Sequence, residues 1–182
     1  MSIEIITYRK HRNLKLDANE LGIAWQELYV RLKKIGEPVT GDKLLYGSDR
    51  DKLGALAEAE FKKFVPHSID KNAEIFQAKI DFNINGYLID VKASKPKLTN
   101  KNSIKKAWSF SFKKQTLIAD FIVCFCYLED KSLAHVLLVP SEFFKGLQTV
   151  SVSCSAVSKW LDYSIDPKNL SDFFKSLPIK GC

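Results

Sequence analysis

Apolar residues recur along this chain first at helical and then at strand spacing. Between Leu16 and Lys34, the positions of Leu21, Ile23, Leu28 and Leu32 mark two short helices broken at Gly22, with Asp17 available as a cap. Pro38, Gly41 and Gly47 punctuate the stretch from Glu37 to Asp51, which reads as a connection with turns. It divides a helical region, 1–45, from a main domain, 46–182. Leu53, Leu56, Ala57, Phe61 and Phe64 then share one side of a predicted helix over Leu53 to Val65, which also carries Glu58 and Glu60. From Ala73 the period changes to two. Ile75 to Ile84 and Tyr87 to Val91 alternate on either side of Asn85-Gly86, a strong two-residue hairpin signal. Lys92 to Lys114 is polar and is expected to be a loop leading into a helix, although Trp108, Phe110 and Phe112 alternate as a buried strand does. Ala119 to Leu128 is a continuous apolar run typical of a central strand. Leu133 to Val139 is a second strand ending at Pro140, and Ser141 opens a short helical SEFFKGL segment. Val150 to Cys154 fits an edge strand, and Leu170 to Leu177 a closing amphipathic helix.

Length and composition bound this picture. The chain has 182 residues, enough for one α/β domain with a core and a small appendage, and its 46% apolar content excludes a disordered chain. A formal charge of +7 suits a polyanionic partner such as nucleic acid. Eight lysines and no aspartate or glutamate lie between Lys92 and Lys114. Lys95, Lys97, Lys101, Lys105 and Lys106 are the expected phosphate contacts; the alternative is a solvated loop. Cys124, Cys126, Cys154 and Cys182 lack the paired spacing of a structural zinc site and read as reduced core residues. Met1 to Lys10 has no apolar signal core, and no stretch is long and apolar enough to span a membrane, so a cytoplasmic protein is expected. His11, His67 and His135 share no ligand spacing, and no phosphate-binding glycine loop is present.

The hairpin concentrates the candidate chemistry. With Asn85 and Gly86 as the loop, strict antiparallel register pairs Ile84 with Tyr87, Asn83 with Leu88, Phe82 with Ile89, and Asp81 with Asp90. Like charges opposed in this way destabilise a sheet by about 0.2–1 kcal/mol, which calls for a compensating cation. Period two puts Lys92 on the face of Asp90, while Ile89 and Val91 face the other way. Hard oxygen ligands of this kind suit Mg²⁺ or Mn²⁺, and Lys92 is placed to orient water or to meet charge on phosphorus. The plain alternative is a solvated, salt-bridged hairpin face.

Asp81, eight intervening residues, and Asp90-Val91-Lys92 in IDFNINGYLIDVKAS resemble the motif of the PD-(D/E)XK nucleases, although Ile80 stands where that family usually has proline. Glu58, in GALAE, matches the helix-borne glutamate of many members, and Gln115 the later glutamine. The resemblance covers Leu53 to Val139 in the order helix, hairpin, helix, strand. It implies a restriction-endonuclease-like α/β fold, a central mixed sheet flanked by helices with a small N-terminal helical region. It also implies an Mg²⁺-dependent DNA endonuclease for which Mn²⁺ would substitute. In it Asp81, Asp90, the Val91 carbonyl and Glu58 hold metal and Lys92 acts as the catalytic cation. Ala18, Gly22, Ile23 and Leu28 resemble a helix-turn-helix in part, with Arg31 where that pattern has an apolar residue. On that resemblance Trp25, Gln26, Tyr29, Arg31 and Lys33 would face DNA, which favours sequence-specific cleavage of duplex DNA by a homodimer or higher symmetric assembly. A junction-resolving or repair nuclease and a non-catalytic DNA-binding protein remain the alternatives.

Overall fold

The computed structural model describes residues 2–39, 47–71, 80–112, 118–154 and 158–181. Its main body is a five-stranded mixed sheet. In spatial order it runs β1 (Ile69–Asp70), β2 (Phe82–Ile84), β3 (Tyr87–Ser94), β6 (Phe121–Tyr127) and β7 (Leu133–Pro140). All neighbours are antiparallel except β3 and β6. Ile122 to Tyr127 are all buried, because the central strand β6 is covered on both faces.

One face of the sheet carries Ile89, Val91, Val123 and Phe125. It packs against Ala57 and Phe61 of helix α4 (Asp49–Phe64) and against Leu170 and Phe174 of α5 (Leu170–Ser176). The opposite face, with Ile122, Cys124 and Cys126, meets Trp108, Phe110, Val150 and Val152. These come from a second, three-stranded sheet in the order β4 (Lys97–Leu98), β5 (Lys106–Ser111), β8 (Thr149–Ser153). Trp108 joins the two sheets by donating its indole N–H to the Tyr127 carbonyl at 2.7 Å.

This second sheet corrects the expected passage from loop to helix after Lys92. Trp108, Phe110 and Phe112 bury one face of β5 while Ser109 and Ser111 stay exposed, so period two prevails over the polar composition. Among the described residues the order is therefore helix, hairpin, second-sheet strands, then β6. Cys124 and Cys126 are buried as expected, but Cys154 is exposed at the end of β8, and Cys182 lies outside the described residues. The expected strand over Ile75 to Ile84 falls within them only from Ile80.

Helix α4 begins four residues before the predicted start because Ser48 forms a capping box with Asp51. The N-terminal region holds α1 (Ile3–His11), α2 (Leu14–Glu20) and α3 (Trp25–Lys34) around Tyr8, Ala18, Leu28, Leu32 and Val39. The break between α2 and α3 falls at Gly22, whose φ is +67°. Asn13, not Asp17, caps α2, accepting from the amides of Lys15 and Leu16 at 3.1 Å. Asp17 is instead fully buried, accepting from the Asn13 amide at 3.0 Å and from His11 Nδ1 at 2.7 Å. Among the described residues, no helix is long and apolar enough to cross a membrane.

Phe61 is fully buried between Phe82 and Phe174, with ring centroids 4.8 and 6.0 Å away. Phe61→Ala is expected to destabilise the protein by about 3–5 kcal/mol, read as a lowered urea midpoint with little change in slope.

Candidate active site

The turn between β2 and β3 has positive φ at both central residues, +52° at Asn85 and +86° at Gly86, as a two-residue hairpin with the sheet's right-handed twist requires. The register that follows is Ile84 with Tyr87, Asn83 with Leu88 and Phe82 with Ile89. At the next residue the ladder breaks from the strict pairing of Asp81 with Asp90. The Asp81 amide donates to the Ile89 carbonyl at 3.1 Å, so Asp81 and Phe82 together oppose Ile89, the two-against-one count of a β-bulge. The Asp81 carboxylate then accepts the Val91 amide at 2.7 Å, taking the part of a ladder carbonyl. The carboxylates still converge. Asp81 lies close enough to Asp90 to act on it both as a neighbouring charge and through a hydrogen bond.

Lys92, two residues along the same strand, places Nζ 2.5 Å from Asp90 Oδ1. The Asp90 side chain is only 16% exposed. Burial pushes its carboxyl up to about 6, the Lys92 charge opposes that rise, and the Asp81 charge adds to it. Cys124, opposite Lys92 on β6, lies on the covered side of this group, and burial holds its thiol well above the usual range. The result is a partly dry acid pair with one ammonium. The donor set is of the kind a hard divalent cation takes: two carboxylates whose charge the single Lys92 ammonium offsets only in part.

Three residues that the sequence did not single out support the hairpin. Lys71 donates its amide to the Asp81 carbonyl at 2.8 Å, continuing the pairing of β1 with β2 beside the acid. Asp120, at the head of β6, accepts the Leu88 amide at 2.8 Å through its carboxylate and donates its own amide to the Leu88 carbonyl at 2.7 Å. Lys180 holds the other oxygen of Asp120 at 2.5 Å and donates its backbone amide to the Asn85 carbonyl at 2.9 Å. A Cβ on Gly86 would stand 3.1 Å from that of Lys180, so the turn needs glycine for close approach as well as for its φ. Only a signal relating residues distant in sequence would have found these contacts.

The other predicted residues are dispersed. Glu58 sits on α4, which packs on the Ile89 and Val91 face, while Asp90 and Lys92 leave from the opposite face. Among the described residues no three His, Cys, Asp or Glu side chains form a metal-binding group, so Glu58 does not complete a cluster with Asp81 and Asp90. Its neighbour Glu60 accepts the Tyr127 hydroxyl at 2.8 Å. Gln115 lies outside the described residues. Lys95 reaches the Glu129 carbonyl at 2.9 Å and Lys106 the Glu129 carboxylate at 3.2 Å, while Lys97, Lys101 and Lys105 are exposed. On α3, Trp25, Gln26 and Lys33 are exposed. Tyr29, expected to be exposed, is half-buried against the helical core, and Arg31 is held by Glu27 and Glu4 at 2.6 and 3.0 Å. Glu27 lies on α3 itself and Glu4 on α1, a helix the apolar spacing did not reveal.

No protein-family model matches the chain, and no curated protein matches it. Comparison with solved structures aligns 68% of this chain with 89% of a bacterial homing endonuclease, I-Ssp6803I, at a TM-score of 0.43 and 12% identity. A likeness at that level carries no functional inference.

The Asp90 environment has a consequence for stability. A carboxyl raised from 3.8 to about 6 on folding stabilises the native state below pH 3.8, and that contribution is lost as pH rises through 6. Without divalent metal, the stability of Asp90→Asn relative to wild type should therefore rise by about 2–3 kcal/mol between pH 3.5 and 7.5, measured by urea unfolding at each pH.

Proposed function

We propose that this protein is a divalent-metal-dependent DNA endonuclease of the PD-(D/E)XK type. The observation that carries the reading is the convergence of the Asp81 and Asp90 carboxylates beside the Lys92 ammonium on the bulged hairpin. Asp81 and Asp90 would hold Mg²⁺, with the Val91 carbonyl as a further ligand and Mn²⁺ able to substitute. When bound, the ion supplies Lewis-acid polarisation of a phosphate oxygen and a more acidic water.

The protein's own groups supply the rest. The Lys92 ammonium, half-buried and paired with Asp90, would donate hydrogen bonds to the attacking water or to charge growing on the phosphate as one P–O bond forms and another breaks. The bulge points the Asp81 carboxylate toward Asp90 without help from Glu58, whose part is that of a supporting residue on α4. Lys95, Lys97, Lys101, Lys105 and Lys106 would neutralise the phosphate backbone. Trp25, Gln26 and Lys33 on α3 would add groove contacts, which favours cleavage at particular duplex sequences. Two copies of the chain would present two sites for two strands.

Incubation of supercoiled plasmid with the full chain and Mg²⁺ should yield nicked and linear DNA, and chelation should abolish it. Asp90→Ala and Lys92→Ala should each lower the rate by about 100- to 1,000-fold, the cost of removing one strong transition-state contact. Cutting by both variants at the wild-type rate would refute the assignment. Binding of DNA without any cleavage in Mg²⁺ or Mn²⁺ would make the chain a non-catalytic DNA-binding protein.

A further inference from the structure

The tip of the β4–β5 hairpin joins an ordered backbone, bare apolar side chains and one-sided charge. Lys97 pairs with Ala107 and Leu98 with Lys106, and the Thr99 amide donates to the Lys105 carbonyl at 3.0 Å. Within the loop, Asn100 Oδ1 accepts the Asn102 amide at 3.1 Å and Ser103 Oγ accepts the Lys105 amide at 2.9 Å. These bonds fix the tip. They also leave Ile104 95% exposed and Leu98 53% exposed, a costly placement for two aliphatic side chains on an ordered loop. Lys97, Lys101 and Lys105 flank them in sequence with no ion pair among the described residues, while at the base of the hairpin Lys106 meets the Glu129 carboxylate at 3.2 Å.

We propose that this tip enters the major groove of duplex DNA, where Ile104, with Leu98 beside it, packs on thymine methyl groups while Lys97, Lys101 and Lys105 bind the flanking phosphates. The inference rests on the DNA-acting reading above and extends it from backbone attraction to base-edge contact. Size favours the major groove. Among the described residues β8 pairs with β5 over Ala107 to Ser111 and the Cys154 amide reaches the Lys106 carbonyl at 3.1 Å, and beyond it the Thr99 bond to Lys105 closes the two arms of the tip. Two strands about 4.8 Å apart with their side chains match a groove about 12 Å wide and exceed one of about 6 Å. The thymine methyl is the apolar group that the major groove offers to an aliphatic side chain. Charge complementarity selects a phosphate polymer, and continuity with the candidate site comes from the Ser109 amide, which donates to Ser94 Oγ at 2.9 Å, two residues beyond Lys92.

Binding of the full chain is measured in EDTA by fluorescence anisotropy, with a short alternating A·T duplex and with the same duplex carrying deoxyuridine for thymidine. Wild type should bind the thymine duplex about 3- to 10-fold more tightly, the range expected for one or two buried methyl contacts. Ile104→Ala should erase that preference by weakening the thymine duplex alone. Lys101→Ala with Lys105→Ala should instead weaken both duplexes and lower the salt slope by about 2. Substitution at so exposed a residue leaves the fold intact, so lost discrimination is not a folding effect. Equal wild-type affinity for the two duplexes, binding to neither, or full discrimination retained by Ile104→Ala would each overturn the inference. So would Ile104-dependent capture by anionic phosphatidylserine vesicles without a change in DNA binding. Because no metal is present, failure of cleavage leaves this test standing, and failure of this test leaves the plasmid assay standing.

Discussion

Two carboxylates and one ammonium meet where the sheet is neither fully wet nor fully dry, and the surrounding structure has to hold them there. Asp81 leaves the regular ladder beside Asp90: its amide is taken by the Ile89 carbonyl, and its carboxylate accepts the Val91 amide. The bulge reshapes the ladder beside the pair, while the Asp81 charge still adds to the rise of the Asp90 carboxyl. The supports are stiff and come from both sides of the hairpin. Lys71 pairs with Asp81 from β1, Asp120 pairs with Leu88 from β6, and Lys180 closes over the turn.

The sheet itself is organised around β6. Its uninterrupted apolar run would be wasteful on an edge strand, but here both faces are occupied, by α4 and α5 on one side and by the second sheet on the other. That arrangement dries the floor beneath Lys92 through Cys124 without closing the site, since Lys92 remains a third exposed. Burial strong enough to raise the Asp90 carboxyl comes with its place on β3, beside the most buried strand.

Much of this was legible in the residues. Asn-Gly specified the turn and three register pairs, the apolar run specified β6, and period two in Trp108, Phe110 and Phe112 specified a strand that the surrounding lysines obscured. The departures have identifiable causes. The bulge at Asp81 depends on which acceptor its amide finds, a choice made by β3 and not by local pattern. Helix α1 was hidden because Ile3 and Ile6 face outward while Thr7 and Tyr8 are buried. Asp17 looked like a cap because it precedes apolar positions, yet Asn13 serves and Asp17 is spent on His11. Asp120 and Lys180 lie 30 and 90 residues from Asp90 in sequence, beyond the reach of any local signal.

The parallel pairing of β3 with β6 also orders the way this chain assembles. The hairpin of β2 and β3 is local and closes on a microsecond scale, whereas Asp90 meets Ile122 only after the intervening chain, which contains β4 and β5, has been looped out. Long-range parallel contacts of this kind are slow to form. The burial that raises the Asp90 carboxyl belongs to the assembled sheet, in which β3 lies against β6.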